Sequence, residues 1–119
     1  MKPFERIPMS QIRSAKQRIK NSVVRTPLVR FNDYEAQAEI FLKLENLQPV
    51  GSFKLRGASN AMALMGDNEL AKGVWTVSAG NMAQGLAWCA RQRQISCTVI
   101  VPEHAPEAKL SNIKRLGAN

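Results

Sequence analysis

The sequence predicts an α/β fold built on a parallel sheet with crossover helices. Two observations carry this. From residue 54 the patterns run helix, strand, helix, strand, helix, and strands that alternate with helices are joined in parallel. The second strand, "SCTVIVPE" at 96–103, has a continuous apolar centre, which predicts burial on both faces. In such sheets ligands gather outside the carboxyl ends of the strands, here at "SAGN", residues 78–81.

Taken in order, "SQIRSAKQRIKN" puts Ile12, Ala15 and Ile19 on one helical face, with Ser10 as the expected N-cap after Pro8. "TPLVRF" and "EIFLKLE" read as short strands. "KLRGASNAMALM" places Leu55, Ala58, Met62 and Met65 on one stripe, giving an amphipathic helix that ends near Gly66 and Asp67. "GVWTVSA" is a strand, and "NMAQGLAWCARQR" is a helix with Asn81 as the expected N-cap. "PEAKLSNIKRLG" is a helix with Pro106 at its start and Gly117 at its end. The next strand should begin at the closing "LGAN", so the sequence reads as the front of a longer protein.

The chain has 119 residues, 45% hydrophobic and 22% charged, which suits one small folded domain rather than a disordered segment. No apolar run approaches the ~20 residues that span a bilayer, and "MKPFERIPMS" lacks the apolar core of a signal peptide, so a cytoplasmic protein is expected. Cys89 and Cys97 form no CxxC pair and read as two reduced thiols. His104 stands alone in "PEHAP" and reads as a surface loop residue, with no second histidine to build a metal site.

The net charge of +8 is uneven: residues 1–30 carry eight Lys and Arg against Glu5 alone. Such an arm suits nucleic acid, acidic protein surface or plain solvation. No aromatic residues interleave the charges to stack on bases, so nucleic acid is not the expected partner.

Lys54 lies in "PVGSFKLRGA", between Phe53 and Leu55. A surface lysine covering apolar neighbours with its stem is the plain reading. Against it, a helix start faces a cation with the positive end of the dipole, and Arg56 adds like charge. Burial beside Phe53 would act in the same direction, toward the neutral amine that a Schiff-base lysine needs. Gly57 would let a neighbour approach the first turn. "GSFKLRG" lacks the spacing of a phosphate-binding P-loop.

"VSAGNMAQG" turns from strand to helix at Gly80–Asn81, where unpaired backbone N–H groups suit a carboxylate or phosphate. Ser78 adds a hydroxyl, Asn81 an amide, and Gly85 permits close approach to a neighbour. A simple structural cap explains such a turn equally well.

Together the two motifs are far more specific. "RTPLVRF", "FLKLENLQPVGSFKLRGASNAM", "SAGNMAQGLAWCA" and "VIVPEHAPEAKLSNIKRLGAN", in this order, resemble the pyridoxal-phosphate enzymes of the tryptophan-synthase β-like fold (fold type II). The similarity is greatest to the threonine/serine dehydratase (ammonia-lyase) branch. It implies that the chain is the N-terminal part of such an enzyme, with residues 1–72 in the larger domain and 73–119 opening the smaller. It implies pyridoxal 5'-phosphate held by Lys54 as a Schiff base, Phe53 against its ring and Asn81 on its phenolic oxygen. The substrate carboxylate would meet Ser78, Ala79, Gly80, Asn81 and Gln84. Lys54 would shuttle the α-proton, and loss of the β-hydroxyl would give a 2-oxo acid and ammonia. The completed enzyme would act on a small amino acid and form a homo-oligomer.

Members that racemise serine carry a serine where this chain has Ala79, which implies a dehydratase rather than a racemase. Met82 departs from the histidine common among relatives. The glycine-rich phosphate loop and the partner of the pyridine nitrogen lie downstream in the family, so the isolated chain is expected to be inactive. A serine racemase-like relative, a non-catalytic remnant that binds a partner, and a basic nucleic-acid module are the alternatives.

Overall fold

The structure is a computed structural model that describes residues 6–32, 34–35 and 37–119. Lys2 and Glu5 of the basic arm lie outside the described residues. The elements are α1 (Met9–Ile19), β1 (Leu28–Phe31), β2 (Ile40–Lys43), a 3-10 turn (Glu45–Leu47), α2 (Lys54–Leu64), α3 (Asp67–Leu70), β3 (Val74–Val77), α4 (Asn81–Gln92), β4 (Cys97–Ile100) and α5 (Glu107–Arg115).

Two small sheets result. β1 and β2 pair antiparallel, with Leu28 opposite Lys43 and Phe31 opposite Ile40. β3 and β4 pair in parallel, with Val74 opposite Cys97 and Val77 opposite Ile100, joined by α4 as the crossover helix. This is the expected topology.

The core forms where α2, α4 and one face of the β3–β4 sheet meet. α2 buries Leu55, Ala58 and Met62 of the expected stripe, while Met65 is its half-buried C-cap. α4 buries Ala83, Leu86, Ala87, Cys89 and Ala90, small side chains that bring its axis close to α2. Val74, Cys97, Ile113 and Ala118 complete the cluster. Fully burying Leu55 or Met62 contributes about 1.5–3 kcal/mol each. At the far end of the pair, Arg93 Nη1 donates to the Met62 carbonyl at 3.0 Å.

Three expectations need correction. α1 starts earlier than Ser10: Pro8 is the N-cap, and its carbonyl accepts from Gln11 N–H at 3.0 Å. The apolar face of α1 is buried only at Ile19, and Ile12 is 50% exposed. α2 ends at Leu64, close to Gly66 as expected, and a separate short helix α3 follows, held by Glu69 Oε2 accepting from Gly66 N–H at 3.0 Å. β4 is buried on one face only: Cys97 and Val99 turn inward, and Thr98 and Ile100 are exposed. α4 covers that inner face, and no described residue covers the other, where Trp75 and Val77 also stand exposed.

α5 closes as expected. Gly117, at φ +88, turns the chain; its N–H donates to Lys114 O at 2.8 Å, and Ala118 N–H donates to Ile113 O at 3.4 Å. Together these satisfy two carbonyls that the helix end leaves open. Asn119 then lies along the free edge of β4. Its N–H donates to Cys97 O at 2.9 Å, and its carbonyl accepts from Val99 N–H at 2.7 Å. These are the bonds of a third parallel strand, at the position where the sequence places the next one.

Candidate active site

Lys54 is the first residue of α2, with Phe53 as its N-cap. The loop that delivers it closes when Gly51 N–H donates to Gln48 O at 2.7 Å. Burial of the lysine is not observed. Lys54 is exposed, Phe53 is 59% exposed, and the ammonium lies 5.0 Å from the ring centroid. Nothing stands within 4 Å of the position a Cβ would take on Gly57, so no described residue makes the close approach expected there. The physical reason is shared: no described element packs over the side of this turn that carries the Lys54 side chain and Gly57.

A polar clamp fixes that end from below, and the sequence reading missed it. Arg56 grips Glu45 with two nitrogens, Nε to Oε2 at 2.8 Å and Nη2 to Oε1 at 2.7 Å. Glu45 also accepts from Thr26 Oγ1 at 2.6 Å and from Gln48 Nε2 at 3.2 Å. Gln48 pairs in both directions with the backbone of Val24, whose carbonyl also accepts from Arg56 Nη2. The Arg56 guanidinium outweighs the cost of partial burial and holds the Glu45 carboxyl down at about 2. No local pattern signals the clamp, because Glu45 and Arg56 stand eleven residues apart across an irregular loop.

The second motif ends β3. Ser78 N–H donates to Ile100 O at 3.1 Å, and Gly80 N–H donates to Ser78 Oγ at 3.2 Å. The N-cap is Gly80 rather than Asn81, since the residue with non-helical angles is the glycine. Asn81 therefore begins the helix, and its exposed side chain makes no capping bond. Gln84 N–H donates to Gly80 O at 3.2 Å, so the amides of Asn81, Met82 and Ala83 lie ahead of the first helical bond and point out of the helix. Ser78, Ala79, Gly80 and Gln84 are half-buried around this turn. Ser78 Oγ accepts from Gly80, which leaves its own O–H free to donate.

One helix crossing joins the motifs. A Cβ on Gly85 would lie 3.4 Å from Lys54 C and from Leu55 N, so α4 passes directly against the first turn of α2. Asn81, Gly85 and Cys89 are spaced four apart and share one face of α4. Cys89 Sγ meets Ser59 Oγ at 3.1 Å, one turn further along α2. The face bearing Asn81 is thus the face that meets the start of α2. Lys54 and the Ser78–Asn81 turn occupy the same end of the α2–α4 pair.

The two cysteines are free and buried, and burial pushes both thiols up. His104 is exposed in its loop. No group of metal-ligating side chains forms among the described residues. No helix among them is long and apolar enough to cross a membrane.

The parallel pair, the exposed lysine at one helix start and the amide-lined turn at the next belong to the class of fold type II pyridoxal-phosphate enzymes. The structure superposes on serine racemase from Dictyostelium discoideum (TM-score 0.88, 40% identity, 95% of this chain and 38% of that one). It also superposes on maize serine racemase (TM-score 0.87, 38% identity, 92% and 34%). Residues 19–119 match the family model described as "Pyridoxal-phosphate dependent enzyme", and the chain belongs to that family. In sequence it is 42% identical to a catabolic L-threonine dehydratase of Staphylococcus aureus, over 94% of this chain and 33% of that protein. The chain spans about a third of the length of the curated relatives it matches.

The residues present fit the family's cofactor, pyridoxal 5'-phosphate. Lys54 offers an amine with no ion pair among the described residues, beside an aromatic face. Across the helix junction stand amide donors not used by the fold.

Proposed function

We propose that this chain supplies the cofactor lysine and the carboxylate-binding turn of an L-threonine/L-serine ammonia-lyase, a cytoplasmic homo-oligomer when complete. Residues 1–72 would form part of its larger domain and 73–119 the start of its smaller one. Lys54 would hold pyridoxal 5'-phosphate through its amine, Phe53 would pack on the ring and Asn81 would donate to the phenolic oxygen. When bound, the cofactor serves as an electron sink for the bond broken at the substrate α-carbon.

The chain's own residues do the rest. The backbone at Ala79, Gly80, Asn81 and Gln84, with the Ser78 hydroxyl, orients the substrate carboxylate. Lys54, once its amine is released, takes the α-proton and passes it on. Departure of the β-hydroxyl and hydrolysis then yield a 2-oxo acid and ammonia. The observation that carries this reading is the Gly85 crossing, which sets the lysine and the turn at one end of α2 and α4. Ala79 favours elimination, because a methyl group offers no proton to the opposite face. A serine racemase-like activity is the second reading, favoured by the serine racemases among the relatives.

Borohydride reduction of the complete enzyme with pyridoxal phosphate, followed by peptide mapping, tests the assignment. The pyridoxyl group is expected on Lys54. Finding it on Lys43 or Lys72 overturns the reading.

A further inference from the structure

We propose that the cleft between α1, the end of β2 and the first turn of α2 binds a small polyanion, a compound carrying two or more phosphate groups. The cleft encloses about 360 Å³ and excludes Lys54, Ser78 and Asn81 from its lining. Its floor is apolar: Ile19 is buried and Val23 half-buried. Lys16, Lys20, Arg25, Lys43 and Arg56 complete the lining.

Lys43 and Arg56 are held in place by the fold. Lys43 donates to the Thr26 carbonyl, and Arg56 is gripped by Glu45. Among the described residues Lys16, Lys20 and Arg25 have no acidic partner: the ion pairs there are Arg30–Glu39 and Arg56–Glu45, and no carboxylate lines the cleft. Lys16 lies on α1 and Lys20 is its C-cap, four residues apart, a spacing at which like charges repel at a cost to the helix. An anion seated between them and Arg25 would reverse that cost. Three cations lining one cleft exceed what one carboxylate neutralises and match the charge of a di- or triphosphate. The volume suits a small molecule. No aromatic ring lines the cleft, so the stacking that single-stranded nucleic acid uses is absent there.

Calorimetric titration of the complete, cofactor-loaded enzyme with inorganic tripolyphosphate tests the proposal. Binding is expected, and Lys20→Gln with Arg25→Gln should weaken it by on the order of a hundredfold, since two charged donors to the anion are lost. Lys16→Gln alone, at an exposed helix position that leaves the fold intact, should weaken it by a smaller factor. Lys109→Gln and Lys114→Gln on α5 should leave it unchanged, with circular dichroism confirming the fold of each variant. Absence of binding overturns the proposal. So does an equal loss in the α5 variants, which would mean diffuse charge. A single-stranded oligonucleotide that binds more tightly than tripolyphosphate and loses affinity in the same variants would also overturn it, as a nucleic-acid surface.

Discussion

The position of a Cβ on Gly85 lies 3.4 Å from the backbone nitrogen of Leu55. At that distance an alanine makes near-normal contact, and its better helix propensity, up to about 1 kcal/mol over glycine, offsets the squeeze. A branched side chain has no such room, because the facing atoms are backbone. Gly85→Ala should leave the melting temperature within a few degrees of the parent. Gly85→Val should cost about 1–3 kcal/mol by overpacking and push α4 away from the first turn of α2. Thermal unfolding of the three proteins checks this; equal stability of Gly85→Val would show that the crossing is loose.

Glu45 makes the clamp sensitive to acid. Its folded carboxyl stays ionised down to about 2, against an ordinary value of 4.5. The unfolded chain therefore binds the proton first as pH falls. The stability that Glu45 contributes is full above pH 4.5 and is lost between 4.5 and 2. Glu45→Gln should flatten the dependence of melting temperature on pH in that window. Arg56→Ala should destabilise by about 1–3 kcal/mol near neutral pH, because the carboxylate and the Val24 carbonyl both lose their guanidinium donor. A variant pH profile parallel to the parent's would remove Glu45 as the cause.

Ala79 bears on reaction type. In the complete enzyme the unmodified residue should give ammonia and 2-oxo acid from L-serine or L-threonine with little D-amino acid. Ala79→Ser places a hydroxyl beside Ser78 and should raise the ratio of racemisation to elimination, while Lys54→Ala abolishes both. Chiral analysis of residual serine, run beside 2-oxo acid release, measures the partition. Abundant D-serine from the unmodified enzyme would move the protein to the racemase reading.

The uncovered sheet face has a physical cost. Trp75 and Val77 of β3 and Ile100 of β4 are 69%, 66% and 50% exposed on one side of the pair. The 119-residue chain should self-associate through this face. Val77→Thr with Ile100→Thr keeps β-branched side chains in the strands and removes apolar contact. Light scattering should show association beginning at a concentration roughly tenfold higher, the equivalent of about 1.4 kcal/mol of lost burial. An unchanged onset would place the contact elsewhere.

Much of this architecture is legible in the residues because it rests on periodicity. The stripe Leu55–Ala58–Met62 reads directly as a buried helix face, and the strand–glycine–helix turn at 78–81 reads as a crossover start. What escaped depends on neighbours or on backbone angles. "CTVIV" has the same apolar run whether one face is covered or two. Cap identity shifted from Ser10 to Pro8 and from Asn81 to Gly80, because both polar residues sit inside helices whose preceding residue already has the non-helical angles. Arg56 and Glu45 are eleven residues apart across an irregular loop, beyond any local pattern. Within the site, the lysine and the turn were each visible, but Gly85 as the hinge between them needed its neighbour Leu55 in place.

Asn119 gives β4 a second neighbour, and that decides how hydrogen exchange will look. The amide of Val99 is shielded only while residue 119 stays docked, so its exchange rate follows the local undocking of Asn119 from β4 rather than the opening of the sheet as a whole. The amide of Ser78, bonded to Ile100, is closed by the β3–β4 pair itself. In one deuterium-exchange experiment the two amides should separate into a fast and a slow class. The same polypeptide would thus carry its own gauge of how firmly the sheet's growing edge is seated.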